Sequence, residues 1–253
     1  MSGKLYVIGL GPGPACWLTP EASAALEEIT DLVGYFSYVD RIEPRPGLKI
    51  HGSDNRVELD RSRAALKLAC AGKIVGVVSG GDPGVFAMAA AVLEAVENGP
   101  DEWRALDIEI LPGVSAMQAA AARLGAPLGG DFCAISLSDN LKPWELIERR
   151  LKAACDGDFV IALYNPASRA RPRQIFDAFA LLRRLRPENT PVVFARAVGR
   201  PDERITLTTL GEADPGLADM STLVLIGATA THLIERPNKS PLVLTPRSYG
   251  AER

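Results

Sequence analysis

The chain has 253 residues, of which 47% are hydrophobic and 23% charged, with 23 glycines and 19 prolines. This composition is typical of a folded α/β protein and excludes a disordered or fibrous one. The formal net charge of −3 excludes a general electrostatic attraction to nucleic acid. No apolar stretch approaches the ~18 residues of a membrane-spanning helix, and the four cysteines lack metal-binding spacing. We therefore expect no membrane insertion, no metal and no nucleic-acid partner, and a cytoplasmic location.

The first half of the chain alternates short β-branched runs with Ala- and Leu-rich segments of helical period. This alternation predicts parallel strands joined by crossover helices. Thr19 and Pro20 form a helix-start signal, with Thr19 as the N-cap and Pro20 at the first helical position. We expect strands over residues 4–9, 31–36, 74–79 and 107–111, and helices over residues 20–29, 60–71, 85–97 and 114–124.

After Pro127 the predicted strands follow one another more closely, which indicates a mixed or antiparallel sheet. We expect strands over residues 132–136, 159–164, 192–197, 205–209, 223–227 and 242–245, and helices near 143–154 and 171–186. The pattern changes at Leu111-Pro112-Gly113. We therefore expect an N-terminal α/β domain over residues 1–113 with a parallel sheet, and a C-terminal α/β domain over residues 114–253 with a mixed sheet.

Two glycine-rich turns follow predicted strands of the first domain, at the edge where open α/β sheets bind ligands. The first runs from Gly9 to Pro14, where a dinucleotide-binding fold carries GxGxxG, but Pro14 replaces the third glycine. That substitution argues against a nicotinamide-dependent oxidoreductase. The second turn contains Asp82, whose carboxylate suits a cationic or polyhydroxyl ligand, or alternatively serves as an ordinary turn or capping residue.

Three glycine-containing motifs, in this order, resemble those of the tetrapyrrole (class III) methyltransferases: Gly9-Leu10-Gly11-Pro12-Gly13, Ser79-Gly80-Gly81-Asp82-Pro83 and Pro112-Gly113-Val114-Ser115-Ala116. The resemblance covers nearly the whole chain. It implies a two-domain fold with S-adenosyl-L-methionine between the domains and S-adenosyl-L-homocysteine as the product. The implied cofactor contacts are Gly80, Gly81, Asp82, Val85, Ser115 and Ala116 in the first domain, and Asn165, Arg196, Ala197, Thr222 and Leu223 in the second.

Two later stretches resemble the branch of that family that methylates precorrin-3B at carbon 17 with ring contraction to precorrin-4. They are Asn165-Pro166-x-Ser168-x-x-Arg171 and the segment from Ser136 to Trp144. The branch that acts on cobalt-factor III is similar at the same places, and members that act on uroporphyrinogen or precorrin-4 share the cofactor. A tetrapyrrole-binding protein without activity is a further alternative. The resemblance also implies a homodimer and substrate contacts from Gly11, Pro12, Gly13, Ser168 and Arg171.

Three arginines, Arg169, Arg171 and Arg173, fall at the predicted start of the helix over residues 171–186. Positive charge there opposes the helix dipole, and pairing with the carboxylates of an anionic tetrapyrrole would relieve the conflict. The alternative is a solvated basic face. Ser168 either binds substrate or caps the helix.

The base that ring contraction requires is left open by the sequence. Asp82, Asp139, Tyr35 and His51 are candidates on residue type alone. Many relatives carry a histidine before Asp-Phe where this chain has Gly130, so a group that could move protons is absent from that position.

Overall fold

The computed structural model describes residues 3–54 and 57–248. It divides into two compact units, Met1–Ala116 and Met117–Arg253. Each unit is built on its own five-stranded sheet, and the C-terminal unit carries a further small sheet. The domain boundary expected after Gly113 falls just before this division.

The sheet of the N-terminal unit is parallel throughout its neighbouring pairs. Its strands are β1 (Lys4–Gly9), β2 (Asp31–Tyr35), β3 (Lys49–Ser53), β4 (Ile74–Ser79) and β5 (Asp107–Leu111), in the spatial order β3-β2-β4-β1-β5. The chain leaves β1 toward β2 on one side, and it leaves β4 toward β5 on the other. These two connections lie on opposite faces of the sheet, because the helix after β1 packs with Tyr6 and Ile8 and the helix after β4 packs with Leu5 and Val7. Such a switch point between the neighbouring strands β1 and β4 opens a crevice at the carboxyl edge of the sheet.

Helices cover both faces of this sheet. They are α1 (Pro20–Glu28), α2 (Phe36–Val39), α3 (Glu58–Cys70) and α4 (Met88–Glu97). Alternate residues of β1 enter different cores: Leu5 and Val7 pack with residues of α3 and α4, whereas Tyr6 and Ile8 pack with residues of α1. Burial on both faces explains why the central strands β2, β4 and β1 read as nearly continuous apolar runs.

The start of α1 follows the sequence signal. Thr19 Oγ1 accepts a hydrogen bond from Ala22 N at 3.1 Å, and Pro20 occupies the first helical position, where its missing N–H has no cost. The predicted N-cap is confirmed.

The large sheet of the C-terminal unit is mixed, as the sequence predicts. Its strands are β7 (Phe132–Ser136), β8 (Val160–Tyr164), β9 (Pro191–Arg196), β10 (Arg204–Thr209) and β11 (Thr222–Ile226), in the order β10-β9-β11-β8-β7. Strands β7 and β8 are parallel, and the pairs β8/β11, β11/β9 and β9/β10 are antiparallel. A small sheet joins β12 (His232–Arg236), β13 (Lys239–Leu244) and β6 (Gly125–Ala126).

The helices of this unit are α5 (Ala116–Leu124), α6 (Trp144–Asp156) and α7 (Gln174–Leu185). Apolar residues of α6 and α7 form one core with the large sheet, among them Ile147, Leu151, Phe179 and Leu182. Across the parts of the chain that the structure describes, the helices all fall short of the length and apolar character needed to cross a membrane.

The structure differs from the predicted elements at several places. Strand β3 was not predicted, because its exposed Lys49-to-Ser53 sequence lacks an apolar run and becomes a strand by pairing with β2. Helix α7 begins at Gln174 instead of Arg171, because Ser168 and Arg171 pair through their backbones and Pro172 disfavours helix at the preceding residue. Helix α4 begins at Met88 instead of Val85 because Phe86 adopts a φ of +54°. The short elements α2, β6 and β12 were also missed.

Asp31, the first residue of β2, is a buried carboxylate with a relative exposure of 2%. Its Oδ1 lies 2.8 Å from His51 Nε2, and its Oδ2 accepts the Thr30 hydroxyl at 2.9 Å. Burial raises the pKa of Asp31, but the hydrogen bonds to His51 and Thr30 outweigh burial and hold this pKa below its ordinary value of 3.8. Such a group contributes stability above its unfolded pKa, and this stability is lost as the pH falls through the lower folded pKa.

We predict that Asp31→Asn lowers the free energy of unfolding at neutral pH and makes its decline below about pH 5 shallower than in the wild type. Urea unfolding across that pH range measures both effects. Asp107→Asn is the matched control, because Asp107 also begins a strand of this sheet but is exposed, 3.7 Å from Lys4 Nζ. An acid dependence that is equally steep in wild type and Asp31→Asn would contradict the prediction.

Candidate functional site

Three loops of the N-terminal unit meet at the switch point between β1 and β4. Leu10 N donates to Ser79 O at 2.9 Å, and Gly11 N donates to Gly81 O at 3.1 Å. A Cβ on Gly9 would lie 2.7 Å from Gly113 N, and a Cβ on Gly113 would overlap the carbonyl oxygen of Gly81. Glycine is therefore required at 9 and 113, because the loops after β1, β4 and β5 touch backbone to backbone.

Asp82 links two of these loops through its side chain. Its Oδ1 accepts Gly84 N at 2.8 Å, which is the turn that an Asp-Pro-Gly sequence favours, so the turn interpretation is confirmed. Its Oδ2 accepts Gly113 N at 3.1 Å, a contact that no local turn requires. Since a carboxylate has about four acceptor sites, the partly exposed Asp82 can still accept from a ligand.

The other N-terminal residues predicted to bind the cofactor lie in the same loops. Gly81 has a φ of +71°, and a Cβ there would be in ordinary van der Waals contact with the loop after β5, 3.9 Å from Ala116 N and Val114 O, so its conformation and not its space favours glycine. At Gly80, by contrast, a Cβ would lie 2.7 Å from the Tyr38 ring. Val85 N donates to Asp82 O at 3.3 Å, and Ser115 is buried. Of the remaining residues predicted to bind here, Pro12 and Gly11 are buried, and Gly13 and Ala116 are partly buried.

The sequence analysis missed Arg41, which follows α2 and reaches the loop after β1. Its guanidinium donates to the carbonyls of Leu10, Gly11 and Gly13 at 2.8, 2.9 and 2.9 Å. No local motif indicates this contact, because the spatial order of the strands brings these distant segments together.

In the C-terminal unit, the predicted residues gather at one edge of the large sheet. Strands β8 and β9 run antiparallel to β11, so their carboxyl ends lie beside the start of β11. Thr222 pairs with Arg196, and Ala197 N donates to Ser221 O at 2.9 Å. Asn165 follows β8 at this edge, and its Nδ2 donates to Ser136 Oγ at 2.9 Å. Leu223, the second residue of β11, is buried in the sheet beside Thr222.

Two residues at this edge hold unusual backbone conformations. Asn165 has a φ of +50° and Ala197 a φ of +51°, each directly after a strand. Asparagine tolerates this region through its short polar side chain, but alanine does not have that compensation. Backbone strain of this kind costs about 1–3 kcal/mol per residue and is concentrated at functional sites. Ala197 therefore marks this edge independently of any motif.

The side chain of Arg196 is held by two carboxylates. Its Nε donates to Asp219 Oδ2 and its Nη1 to Asp202 Oδ2, each at 2.7 Å. Thr222 Oγ1 donates to Asp219 Oδ1 at 2.7 Å. Burial raises the pKa of Asp219, but the hydrogen bonds from Thr222 and Arg196 outweigh it and lower the pKa overall.

Ser168 and Arg171 form a tight turn instead of the start of a helix. Ser168 N donates to Arg171 O at 3.1 Å, and Arg171 N donates to Ser168 O at 3.0 Å. The N-cap of α7 is Arg173, so the expectation that Ser168 caps this helix was wrong. Arg171 is 8% exposed, and its Nη1 donates to Leu137 O and Asn165 O at 3.4 Å. Their role in substrate binding stays a prediction.

The four candidate bases separate in the structure. Asp82 and Tyr35 lie at the carboxyl edge of the N-terminal sheet: Tyr35 is the last residue of β2, and Asp82 follows β4. His51 faces Asp31 at the amino end of β2, so the structure does not bring it to the glycine loops. Asp139 belongs to the C-terminal unit, after β7.

The two glycines before Asp131 differ in the space around them. A Cβ on Gly129 would overlap the carbonyl oxygen of Thr245, whereas a Cβ on Gly130 would lie 3.0 Å from Thr245 Cγ2 and 3.3 Å from Pro246 O. A side chain at 130, such as the histidine of many relatives, therefore requires a small shift of the Thr245 side chain.

We predict that Gly113→Ala separates the three loops and accelerates hydrogen exchange at the amides of Leu10 and Gly11, because its Cβ pushes against Gly81 O. Overpacking of this kind costs about 1–3 kcal/mol. Gly47→Ala is the control, since Gly47 has a φ of +85° but a Cβ there would meet no atom within 4 Å. It should lower stability without changing exchange at those two amides. Unchanged exchange in Gly113→Ala would refute the packing argument.

Comparison with known proteins gives consistent matches over both units. The model of the tetrapyrrole (corrin/porphyrin) methylases matches residues 4–214. A precorrin-3B C(17)-methyltransferase of Sinorhizobium sp. is 58% identical over 98% of this chain and 98% of that protein. A probable cobalt-factor III C(17)-methyltransferase of Salmonella typhimurium is 42% identical over 97% of this chain and 99% of that protein.

Solved structures agree with these matches. The crystal structure of the methyltransferase CobJ has a TM-score of 0.92 and 52% sequence identity, covering 97% of this chain and 100% of that chain. Sequence motifs, fold and full-length similarity thus lead to one conclusion: the chain belongs to the tetrapyrrole methylase family.

Proposed function

We propose that the chain methylates precorrin-3B at carbon 17 with S-adenosyl-L-methionine, with ring contraction to precorrin-4, in cobalamin biosynthesis. The observation that carries the proposal is the 58% identity, over 98% of both chains, to a precorrin-3B C(17)-methyltransferase. The ordered glycine loops at the switch point of the N-terminal sheet support it, since ligands of open α/β sheets bind at that edge.

The residues at the two sheet edges fit this cofactor. Asp82 offers a carboxylate to a ligand that carries cationic groups and ribose hydroxyls, and Gly81, which has no side chain, lets a bound molecule approach the backbone. The bound cofactor supplies an electrophilic methyl group and leaves as S-adenosyl-L-homocysteine. We assign its contacts to Gly80, Gly81, Asp82, Val85, Ser115 and Ala116 of the N-terminal unit, and to Asn165, Arg196, Ala197, Thr222 and Leu223 of the C-terminal unit.

Methyl transfer to a carbon nucleophile requires alignment and exclusion of water more than it requires a side-chain nucleophile. The backbone junction at Gly9 and Gly113 supplies a rigid support, because its atoms are already in contact. The strained conformations of Asn165 and Ala197 fix the directions of their peptide groups in the same way.

For the anionic tetrapyrrole we propose contacts from the backbone of Gly11, Pro12 and Gly13, and from Ser168 and Arg171. Arg171 would add a guanidinium that pairs with an acetate or propionate group of the substrate. The base for ring contraction is unassigned. Asp82 and Tyr35 are the candidates that lie at the carboxyl edge of the N-terminal sheet.

A second candidate substrate is cobalt-factor III, because a probable C(17)-methyltransferase for that compound is 42% identical over nearly the full length of both chains. The higher identity to the precorrin-3B enzyme favours the metal-free substrate. Both reactions share the carbon that is methylated, so only a direct comparison of the two substrates separates them.

The proposal is tested by incubating the protein with precorrin-3B and S-adenosylmethionine carrying a ¹³C-labelled methyl group. We expect one label at carbon 17 of a ring-contracted product, located by NMR and mass spectrometry. Cobalt-factor III is offered in a parallel reaction, and preferential turnover of that compound supports the second candidate. Failure to label either compound, or a label at another carbon, would overturn the proposal.

We predict that Asp82→Asn weakens binding of S-adenosylhomocysteine about tenfold, ~1.4 kcal/mol, measured by calorimetry. Asp214→Asn is a matched control, because Asp214-Pro215-Gly216 repeats the Asp82 tripeptide and its Oδ1 also accepts the glycine N–H at 2.8 Å. The control makes the same loss of charge at an equivalent turn of the C-terminal unit and should bind normally. Equal affinity in wild type and Asp82→Asn would remove Asp82 from the cofactor site.

The same ligand separates this proposal from a nicotinamide-dependent enzyme. S-adenosylhomocysteine should raise the midpoint of thermal unfolding, whereas NAD should leave it unchanged.

The proposal further includes a cytoplasmic location and a homodimer, as the family resemblance implies, and light scattering of the purified protein tests the dimer.

A further inference from the structure

Arg41 has a set of contacts that the proposed function does not use. It lies on the connection that leaves β2, and its guanidinium binds three backbone carbonyls of one loop. Nη2 donates to Leu10 O at 2.8 Å and to Gly13 O at 2.9 Å, and Nη1 donates to Gly11 O at 2.9 Å. All three acceptors belong to the turn after β1. One side chain therefore binds three peptide groups of this turn, those of Leu10, Gly11 and Gly13.

The turn has few ways to stabilise its own conformation. Pro12 and Pro14 have no N–H to donate. Gly11 has a φ of +65°, which glycine adopts readily but does not enforce. Its N–H is already bonded to Gly81 O. The carbonyls of Leu10, Gly11 and Gly13 accept from a donor outside the turn, and Arg41 is that donor.

The segment that carries Arg41 is itself held in place. Strand β4 lies between β2 and β1, so a connection from β2 to the turn after β1 must pass the carboxyl end of β4. Tyr38 lies there, close enough that a Cβ on Gly80 would be 2.7 Å from its Cε1. Arg41 N also donates to Tyr38 O at 3.1 Å. The guanidinium therefore acts from a fixed support.

We infer that Arg41 is a positioning residue for tetrapyrrole binding. By holding the carbonyls of Leu10, Gly11 and Gly13, it keeps the turn in its binding conformation before the substrate arrives. The inference rests on the proposed function, which assigns Gly11, Pro12 and Gly13 to the substrate. A turn that is ordered in advance loses less conformational entropy on binding. Loss of Arg41 should therefore weaken substrate binding more than it slows methyl transfer.

Arg41→Met and Arg41→Lys test this inference, and Arg45→Met is the matched control. Arg45 lies on the same connection and also binds backbone carbonyls, with Nη2 at 2.6 Å from Leu26 O and 2.9 Å from Ile29 O. These acceptors lie at the end of α1, away from the glycine turn. Both methionine variants thus remove an arginine that satisfies backbone carbonyls, but only Arg41→Met does so at the turn after β1.

Steady-state kinetics with precorrin-3B and S-adenosylmethionine provide the readout. We expect Arg41→Met to raise the KM for precorrin-3B about tenfold while kcat and the Kd for S-adenosylhomocysteine change less than about twofold. Arg41→Lys should recover part of the loss, because an ammonium group can reach some of the carbonyls but not bind all three as a planar fork does. Arg45→Met should lower the unfolding midpoint and leave KM unchanged.

A KM in Arg41→Met no higher than in Arg45→Met would overturn the inference. If Arg41→Met does not fold, Arg41→Lys decides, and a wild-type KM in that variant overturns it. Equilibrium binding of precorrin-3B separates this inference from the proposed function. A wild type that binds but does not methylate the compound overturns the proposed function, while the ratio of Kd values between the Arg41 and Arg45 variants still decides the role of Arg41. A wild type that does not bind precorrin-3B overturns both.

Discussion

The backbone junction of three loops at the carboxyl edge of the N-terminal sheet is the constraint on which the rest of the candidate site depends. The strand order brings the ends of β4, β1 and β5 side by side, and the loops can meet there only if Gly9 and Gly113 carry no side chain. Asp82 then joins the loops after β4 and β5 through Gly113 N. Gly9 and Gly113 of the motifs that resemble ligand-binding loops are thus required first by packing, whereas a Cβ on Gly81 would meet its nearest atoms only at 3.9 Å.

The sequence predicts the strands best where burial on both sides produces apolar runs that end in turn residues. Strands β1 and β4 have the expected bounds for this reason, and the Thr19 cap is a local signal that needs no tertiary partner. Strand β3 could not be predicted, because it exists through its pairing with β2. The start of α7 was misplaced because the Ser168 and Arg171 turn is held by a backbone contact that composition does not reveal.

In the candidate site, too, local features could be predicted from the sequence and tertiary contacts could not. The motifs located Asp82 and the strand ends, whereas the partners of these groups depend on strand order. Arg41 reaches carbonyls about 30 residues earlier in the chain, and Arg196 is bound by Asp202 and Asp219 from two different connections. The strain at Ala197 is equally invisible in the sequence, since alanine gives no indication of a positive φ. Residue type and order therefore predict the positions of the candidate site, and the fold shows which contacts hold those residues in place.

The contact between Asp31 and His51 affects how the protein responds to acid. It joins β3, one of the two edge strands of the sheet, to β2 at a point where His51 is partly exposed and Asp31 is buried. Protonation of the Asp31 carboxylate in acid weakens its contact with His51 and favours release of β3 from the sheet. Strand β2 would then present unpaired N–H and C=O groups, which is the kind of edge that recruits strands from other molecules. Acidic solutions should therefore promote aggregation from a largely folded chain before they cause complete unfolding.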